Sequence, residues 1–161
     1  MTDVGVHDRL IVIVGPTASG KSSLALELAG DLGGELVSAD SVQVYRGLDI
    51  GSAKPSKTVQ AATPHHLINV LDPREQSDAA WWAAAADDAI SAIRGRGNRP
   101  IVVGGTGLYI RALLRGLVKT PTVDTAIRDA LETELDALGP QALHARLKLV
   151  DPTTATRLAP A

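Results

Sequence analysis

The 161-residue chain has no cysteine, so neither a disulfide framework nor a thiolate metal site is open to it. Aromatic residues are scarce: no phenylalanine, two tryptophans and two tyrosines. With hydrophobic residues at 45% of the chain, the core must be aliphatic, built from Val, Ile, Leu and much Ala. Net charge is nearly absent, −2 at pH 7, and gives no global sign of nucleic acid. Long apolar runs are missing too. The run nearest the start, Leu10-Ile11-Val12-Ile13-Val14, is too short for a signal peptide or a membrane span. A cytoplasmic protein without membrane association is expected. The length suits one domain, and only the alanine-rich Ala79–Ala86 approaches low complexity.

What is present is concentrated near the start. Leu10–Val14 reads as a buried strand and Ser23-Leu24-Ala25-Leu26-Glu27-Leu28 as the opening of a helix. Between them Gly15-Pro16-Thr17-Ala18-Ser19-Gly20-Lys21-Ser22 matches the G-x-x-x-x-G-K-[ST] phosphate-binding loop. Gly15 and Gly20 allow backbone angles closed to other residues. Successive N–H groups can then face phosphate oxygens at the positive end of the helix. Lys21 adds a mobile positive charge, and the Ser22 hydroxyl a ligand for Mg²⁺. The ligand is a diphosphate or triphosphate, ATP included; the loop does not say which.

Along the chain, residues 1–9 lack periodicity and read as a frayed tail. Leu24, Leu28 and Leu32 form a stripe that should face a sheet, and Gly33-Gly34 ends that helix. Glu35-Leu36-Val37-Ser38 is a short second strand running into Asp40 and Ser41. In open α/β sheets ligands sit beyond the carboxyl ends of the strands, so these two should share a crevice with the phosphate loop. Asp40 is equally a turn cap or a working carboxylate. Tyr45–Pro55 is a glycine-punctuated loop, and His65-His66 reads as structural, without the spacing of a zinc site. Ser77 or Asp78 should cap a helix to about Arg94, with Trp82, Ala86, Ala89, Ile90 and Ile93 inward. Ile101-Val102-Val103 is a third strand, delivering Gly104-Gly105-Thr106-Gly107 to the crevice, and Leu108–Arg115 a helix stopped by Gly116. The remainder is helical, with Ile127, Leu131, Leu135 and Leu138 on one stripe, and Leu143 and Leu147 inside the next helix.

Two further features bear on chemistry. Hydrolytic phosphate-loop proteins pair the loop with an acid ending a hydrophobic strand, and none stands at or beside Val103. That argues against a motor or switch ATPase and leaves Asp40 as the nearest carboxylate. Arg94, Arg96, Arg99, Arg111, Arg115, Lys119 and Arg128 face a single acid, Asp124, across that stretch. They suit a polyanion or simply a solvated surface about equally.

Taken together, Gly15–Ser22, Ser38–Tyr45 with Gly47-Leu48-Asp49-Ile50-Gly51, and Gly104–Tyr109 resemble the tRNA dimethylallyltransferase (tRNA isopentenyltransferase) family. Pro64-His65-His66-Leu67 and Leu143–Leu147, followed by Val150-Asp151-Pro152, are similar to the same family in the same order. The resemblance implies an α/β, P-loop NTPase-like parallel sheet. It implies transfer of a dimethylallyl group from dimethylallyl diphosphate to N6 of the adenine 3′ of the anticodon, within the anticodon stem-loop of tRNA. Asp40 would be the base, with Thr106 completing the contact to the amine. Ser41, Val42, Gln43 and Arg128, with Asp40 and Thr106, would touch the tRNA. Gly15–Ser22 would hold the diphosphate, with Mg²⁺ on Ser22. Full-length members are monomers and longer than this chain. The expected organisation is a tail over 1–9, a transferase core over 10–119 with an incomplete sheet, and the start of a truncated helical tRNA-binding insertion over 120–161. Weak or no transfer by this chain alone is expected. The competing readings are an adenylate isopentenyltransferase acting on a free nucleotide, a phosphate-loop nucleotide kinase, and an inactive binding fragment.

Overall fold

A computed structural model describes residues 9–117 and 124–158. The expected tail, apart from Arg9, and Lys119 with the expected 119/120 boundary lie outside the described residues. The chain divides into two units, Met1–Leu117 and Val118–Ala161.

In the first unit a parallel four-stranded sheet runs in the order β1 (Ile11–Val14), β4 (Arg99–Gly104), β2 (Gly34–Ala39), β3 (His65–His66). Its strands alternate between two cores, as the twofold period of a strand requires. Leu36 and Ile101 face one side, where Ala25 and Ala29 of α1 (Lys21–Leu32) pack on them. Val37 and Val102 face the other. There they meet Trp82, Ala86, Ile90 and Ile93 of α3 (Ala79–Gly95), with Tyr109 and Ile110 of α4 (Gly107–Arg115). Helices on both faces make this a three-layer α/β fold. Pro100, which has no N–H to give, enters β4 one residue before β1 begins opposite Ile101.

Two expectations need correction. The inward face of α1 is alanine: Ala25 and Ala29 are buried, while Leu24 and Leu32 are 48% and 40% exposed. Small side chains bring the helix backbone close to the sheet; of the expected stripe Leu28 packs against the core, as does Leu26 outside it, and Leu24 and Leu32 fall to the flanks. The second correction is an additional strand. His65-His66 is β3, paired with Leu36 and Val37. It is preceded by a short helix, α2 (Lys57–Ala62), capped by Ser56. Two residues carry no readable periodicity; their pairing is set by anchors at either end. Leu36 N donates to Pro64 O at 2.9 Å, and His66 Nε2 donates to Glu35 at 2.6 Å.

Elsewhere the expected punctuation is observed. Asp78 Oδ1 caps α3 by accepting from Trp81 N at 2.8 Å, while Ser77 bonds the Tyr109 hydroxyl. Trp82 stacks on Tyr109 with ring centroids 5.1 Å apart and donates its Nε1–H to Ser38 O. In the second unit, α5 (Thr125–Leu138), α6 (Pro140–Val150) and α7 (Pro152–Arg157) are capped by Asp124, Gly139 and Asp151. Leu143 and Leu147 are half-buried. The Ile127, Leu131, Leu135, Leu138 stripe is exposed along its whole length. No described helix is long and apolar enough to cross a membrane.

Candidate active site

Parallel strands deliver their carboxyl ends to one edge of the sheet, and the register aligns three of them: Val14 lies beside Gly104, and Gly104 beside Ala39. Gly15, Asp40 and Gly105 follow immediately. Their crowding explains one glycine. A Cβ on Gly104 would sit 2.1 Å from Ala39 O, inside any tolerable contact. The closeness lets Thr106 N donate to Ala39 O at 3.0 Å, and Ser41 N donate to Thr106 Oγ1 at 3.0 Å. Thr106 is the N-cap residue of α4 but makes no side-chain cap there; its hydroxyl serves the Asp40 turn instead.

Asp40 itself is a turn cap. Its Oδ1 accepts from Val42 N at 2.8 Å and Gln43 N at 3.1 Å, which fixes the carboxylate relative to the strand end. Both bonds use one oxygen, so capping and a chemical role for the carboxylate are compatible.

In the loop from β1 to α1 the expectation for Gly15 needs correction: it is not left-handed, and its lack of a side chain serves space instead, since a Cβ there would lie 2.7 Å from Ser19 Oγ. Gly20 is left-handed at φ 82°, and so is Ala18 at φ 65°. Gly20 offers no side-chain cap, so N–H groups of the first helical turn are left for a ligand. Lys21 Nζ donates to Pro16 O at 3.0 Å across the loop.

These parts open on a cavity of about 430 Å³. Thr17, Lys21, Ser22, Ser38, Asp40 and His65 supply polar lining, while Ala18, Leu26, Leu36, Val59, Ile68 and Val103 line it with hydrocarbon. Gln43, Ser52 and Ala53 complete part of the wall. The Tyr45–Pro55 loop that provides this wall is built around Lys54, a cation whose side chain is only 4% exposed. Lys54 Nζ donates to Tyr45 O, Asp49 Oδ1 and Asn69 Oδ1 at 2.6, 3.0 and 2.8 Å. Arg46 fastens the loop's start, donating to Asn69 O and Val70 O.

Of the residues singled out from sequence, Gly15–Ser22, Asp40, Ser41, Val42, Gln43 and Thr106 all belong to the first unit. Thr17, Ala18, Lys21, Ser22, Asp40, Val42 and Gln43 line the cavity. Arg128 belongs to the second unit, on α5, where it pairs with Glu132 at 3.9 Å. The basic stretch is not one surface. Arg96 donates through Nε and Nη2 to Glu35 at 3.1 and 2.7 Å, at the start of β2, the end of the sheet away from the cavity. Asn98 and His66 donate to the same carboxylate at 2.8 and 2.6 Å. The Arg96 guanidinium leads these donors in holding Glu35 well below the usual carboxylate range, at about 2, against the opposing effect of burial. Because Glu35 is ionised, His66 must carry its proton on Nε2.

A model of the family described as IPP transferase matches residues 43–161. The chain belongs to that family. A model described as isopentenyl transferase also matches, over residues 8–73. Among curated relatives of this IPP transferase chain, the tRNA dimethylallyltransferase of Anaeromyxobacter dehalogenans is 58% identical over 152 residues, covering 94% of the chain and 50% of the relative. The tRNA dimethylallyltransferase of Halorhodospira halophila is 58% identical over 151 residues, 94% of the chain and 49% of the relative. The chain thus spans about half the length of the curated relatives it matches. The crystal structure of the full-length tRNA isopentenylpyrophosphate transferase from Bacillus halodurans superposes with a TM-score of 0.67 at 42% identity, over 94% of this chain and 50% of that one. A eukaryotic dimethylallyltransferase acting on tRNA gives 0.75 at 31% identity, over 94% and 38%.

Two features of the site escaped sequence reading, the buried Lys54 and the Gln43 carboxamide bonds, and so did the Glu35 cluster at the far end of the sheet. Glu35 had a weak signal, as the one acid opening an apolar strand. Its partner Arg96 stands 61 residues away and nothing local marks it.

Proposed function

We propose that this chain carries the donor-binding and proton-accepting part of a tRNA dimethylallyltransferase. The observation behind this reading is the convergence of a phosphate-binding loop and a fixed carboxylate on a cavity whose wall is partly hydrocarbon: Leu26, Leu36, Val59, Ile68 and Val103, beside the polar Ser38, Gln43, Ser52 and His65. A five-carbon chain suits those leucines, isoleucine and valines.

In the proposed reaction N6 of the adenine attacks C1 of the dimethylallyl group. The C1–O bond breaks and diphosphate leaves with the electron pair. The N6 proton passes to the Asp40 carboxylate, since an aromatic amine is a poor nucleophile while it keeps that proton. Lys21 and the N–H groups of the loop stabilise the charge growing on diphosphate, each well-aimed donor being worth on the order of 10²–10³ in rate. Thr106 holds the Asp40 turn through its bond from Ser41 N, and contact with the amine is assigned to its hydroxyl. Ser41, Val42 and, from the second unit, Arg128 are assigned to tRNA contact. Ser22 lines the cavity, and its hydroxyl, with the ligand's own phosphates, would hold a magnesium ion in that ion's usual mode; when bound it would neutralise leaving-group charge. No acid ends β4 to direct water at the phosphates, which suits an amine nucleophile.

The test pairs binding with chemistry. Calorimetry with Mg²⁺ should show dimethylallyl diphosphate bound by the chain in preference to ATP. In a full-length protein bearing these residues, label from dimethylallyl diphosphate should appear in an anticodon stem-loop and not in AMP. Asp40→Asn, which keeps an Oδ1 acceptor for the turn but removes the base, should abolish that transfer while circular dichroism stays that of a folded protein. Preference for ATP with no prenylated adenine would refute the proposal.

A further inference from the structure

We infer that Gln43 is a positioning residue that holds the Ser52–Ala53 wall of the cavity in place and thereby sets its fit to the hydrocarbon part of the donor. This rests on the dimethylallyl diphosphate reading above. The wall is not in a conformation it would keep unaided. Ala53 is left-handed at φ 52°, a costly angle for a residue with a Cβ. Ser52 Oγ is buried and has no hydrogen-bond partner among the described residues, a further cost.

One side chain opposes both. Gln43 Nε2 donates to Ser52 O and Ala53 O, each at 3.1 Å. The two carbonyls can only accept, so they fix the amide nitrogen toward themselves, and the Ser38 hydroxyl then donates to Gln43 Oε1 at 3.1 Å. Ser38 lies in β2 and is 5% exposed, so the strap runs from the rigid sheet to the strained loop. The same residue is tied to the chemistry. Its N–H donates to Asp40 Oδ1, and its carbonyl accepts from Asn69 N at 3.0 Å. With its carboxamide on Ser38, Ser52 and Ala53 and its backbone on Asp40 and Asn69, Gln43 is a scaffold for the cavity, whereas the phosphate loop is held by its own bonds.

This division gives a test with an internal control. Gln43→Glu keeps the shape and the bond from Ser38 but replaces the donor with an acceptor facing two carbonyls. Gln43→Ala removes the strap altogether. Calorimetry with Mg²⁺ on the full chain and both variants would compare inorganic pyrophosphate with dimethylallyl diphosphate. Pyrophosphate affinity should stay within about twofold, and the extra affinity of dimethylallyl diphosphate over pyrophosphate should fall about tenfold. Equal weakening of both ligands would make Gln43 a general fold residue and overturn the inference, as would retention of the extra affinity in both variants. If the parent chain itself shows no preference for the prenylated ligand, the dimethylallyl diphosphate reading fails first and this inference with it.

Discussion

Replacing Glu35 by Gln should destabilise the protein at neutral pH and much less in acid. The carboxylate is only 5% exposed and receives four donor contacts: two from Arg96, one from Asn98 and one from His66. Its pKa of about 2, against an ordinary 4.5, corresponds to ~3 kcal/mol of preference for the charged form. The Arg96 side chain is 48% exposed, so solvent screening discounts this to ~2 kcal/mol. In the variant the glutamine NH₂ would also face donors, which restores the expected loss to about 2–3 kcal/mol. The sign follows from the depressed folded value. The contribution is complete above the unfolded pKa, shrinks as pH falls below about 5, and is lost as pH passes below the folded value near 2. Somewhat more than half should remain near pH 3.5, by the same linkage, at roughly 60%. Urea denaturation of parent and variant at a series of pH values between 7 and 2.5 measures the gap directly. Asp72 and Asp151, also held below their usual values by hydrogen bonds from Arg74 and Thr154, cancel in the difference. A gap that stays constant across the series would show that Glu35 acts through shape alone and refute the electrostatic account.

Two other substitutions probe the site from either side. Gly104→Ala would place a methyl carbon 2.1 Å from Ala39 O. The ends of β2 and β4 must part, at a cost of ~3 kcal/mol or more; a variant with the parent's melting temperature would contradict the observed packing. Lys54→Met keeps the volume but strands three acceptors, which should cost about 2–4 kcal/mol. Hydrogen exchange should quicken across Tyr45–Pro55 before it does in α3; uniform exchange throughout the unit would remove Lys54 as the loop's organiser.

Features visible along the chain are those with a local signature. Gly15–Ser22 announces itself because the loop's conformation and its chemistry demand the same residues. Asp78, Gly116 and Pro140 mark helix ends because capping involves only neighbours in sequence. The α1 stripe was misread because leucine and alanine repeat at the same spacing, and only the sheet decides which side is covered. β3 is two residues long, below the length at which alternation can be seen, and exists because Glu35 and Pro64 hold its ends. The site was legible to the extent that strand ends could be aligned, which joined Asp40 and Thr106 to the loop. Lys54 and the wall-holding bonds of Gln43 were not, since a buried cation and a part-buried carboxamide acquire their meaning from carbonyls that only tertiary structure supplies.

The double duty of Asp40 has a consequence for how this protein tolerates change. Lys21 can be lost with little more than one loop contact, so selection for folding alone would accept its replacement and only selection for product would purge it. At position 40 the two pressures coincide, because the group assigned to take the proton also buttons down the backbone that aims it. A saturation library sorted once for abundance and once for modified tRNA should therefore separate these two sites, with Asp40 depleted in both sorts and Lys21 in only the second.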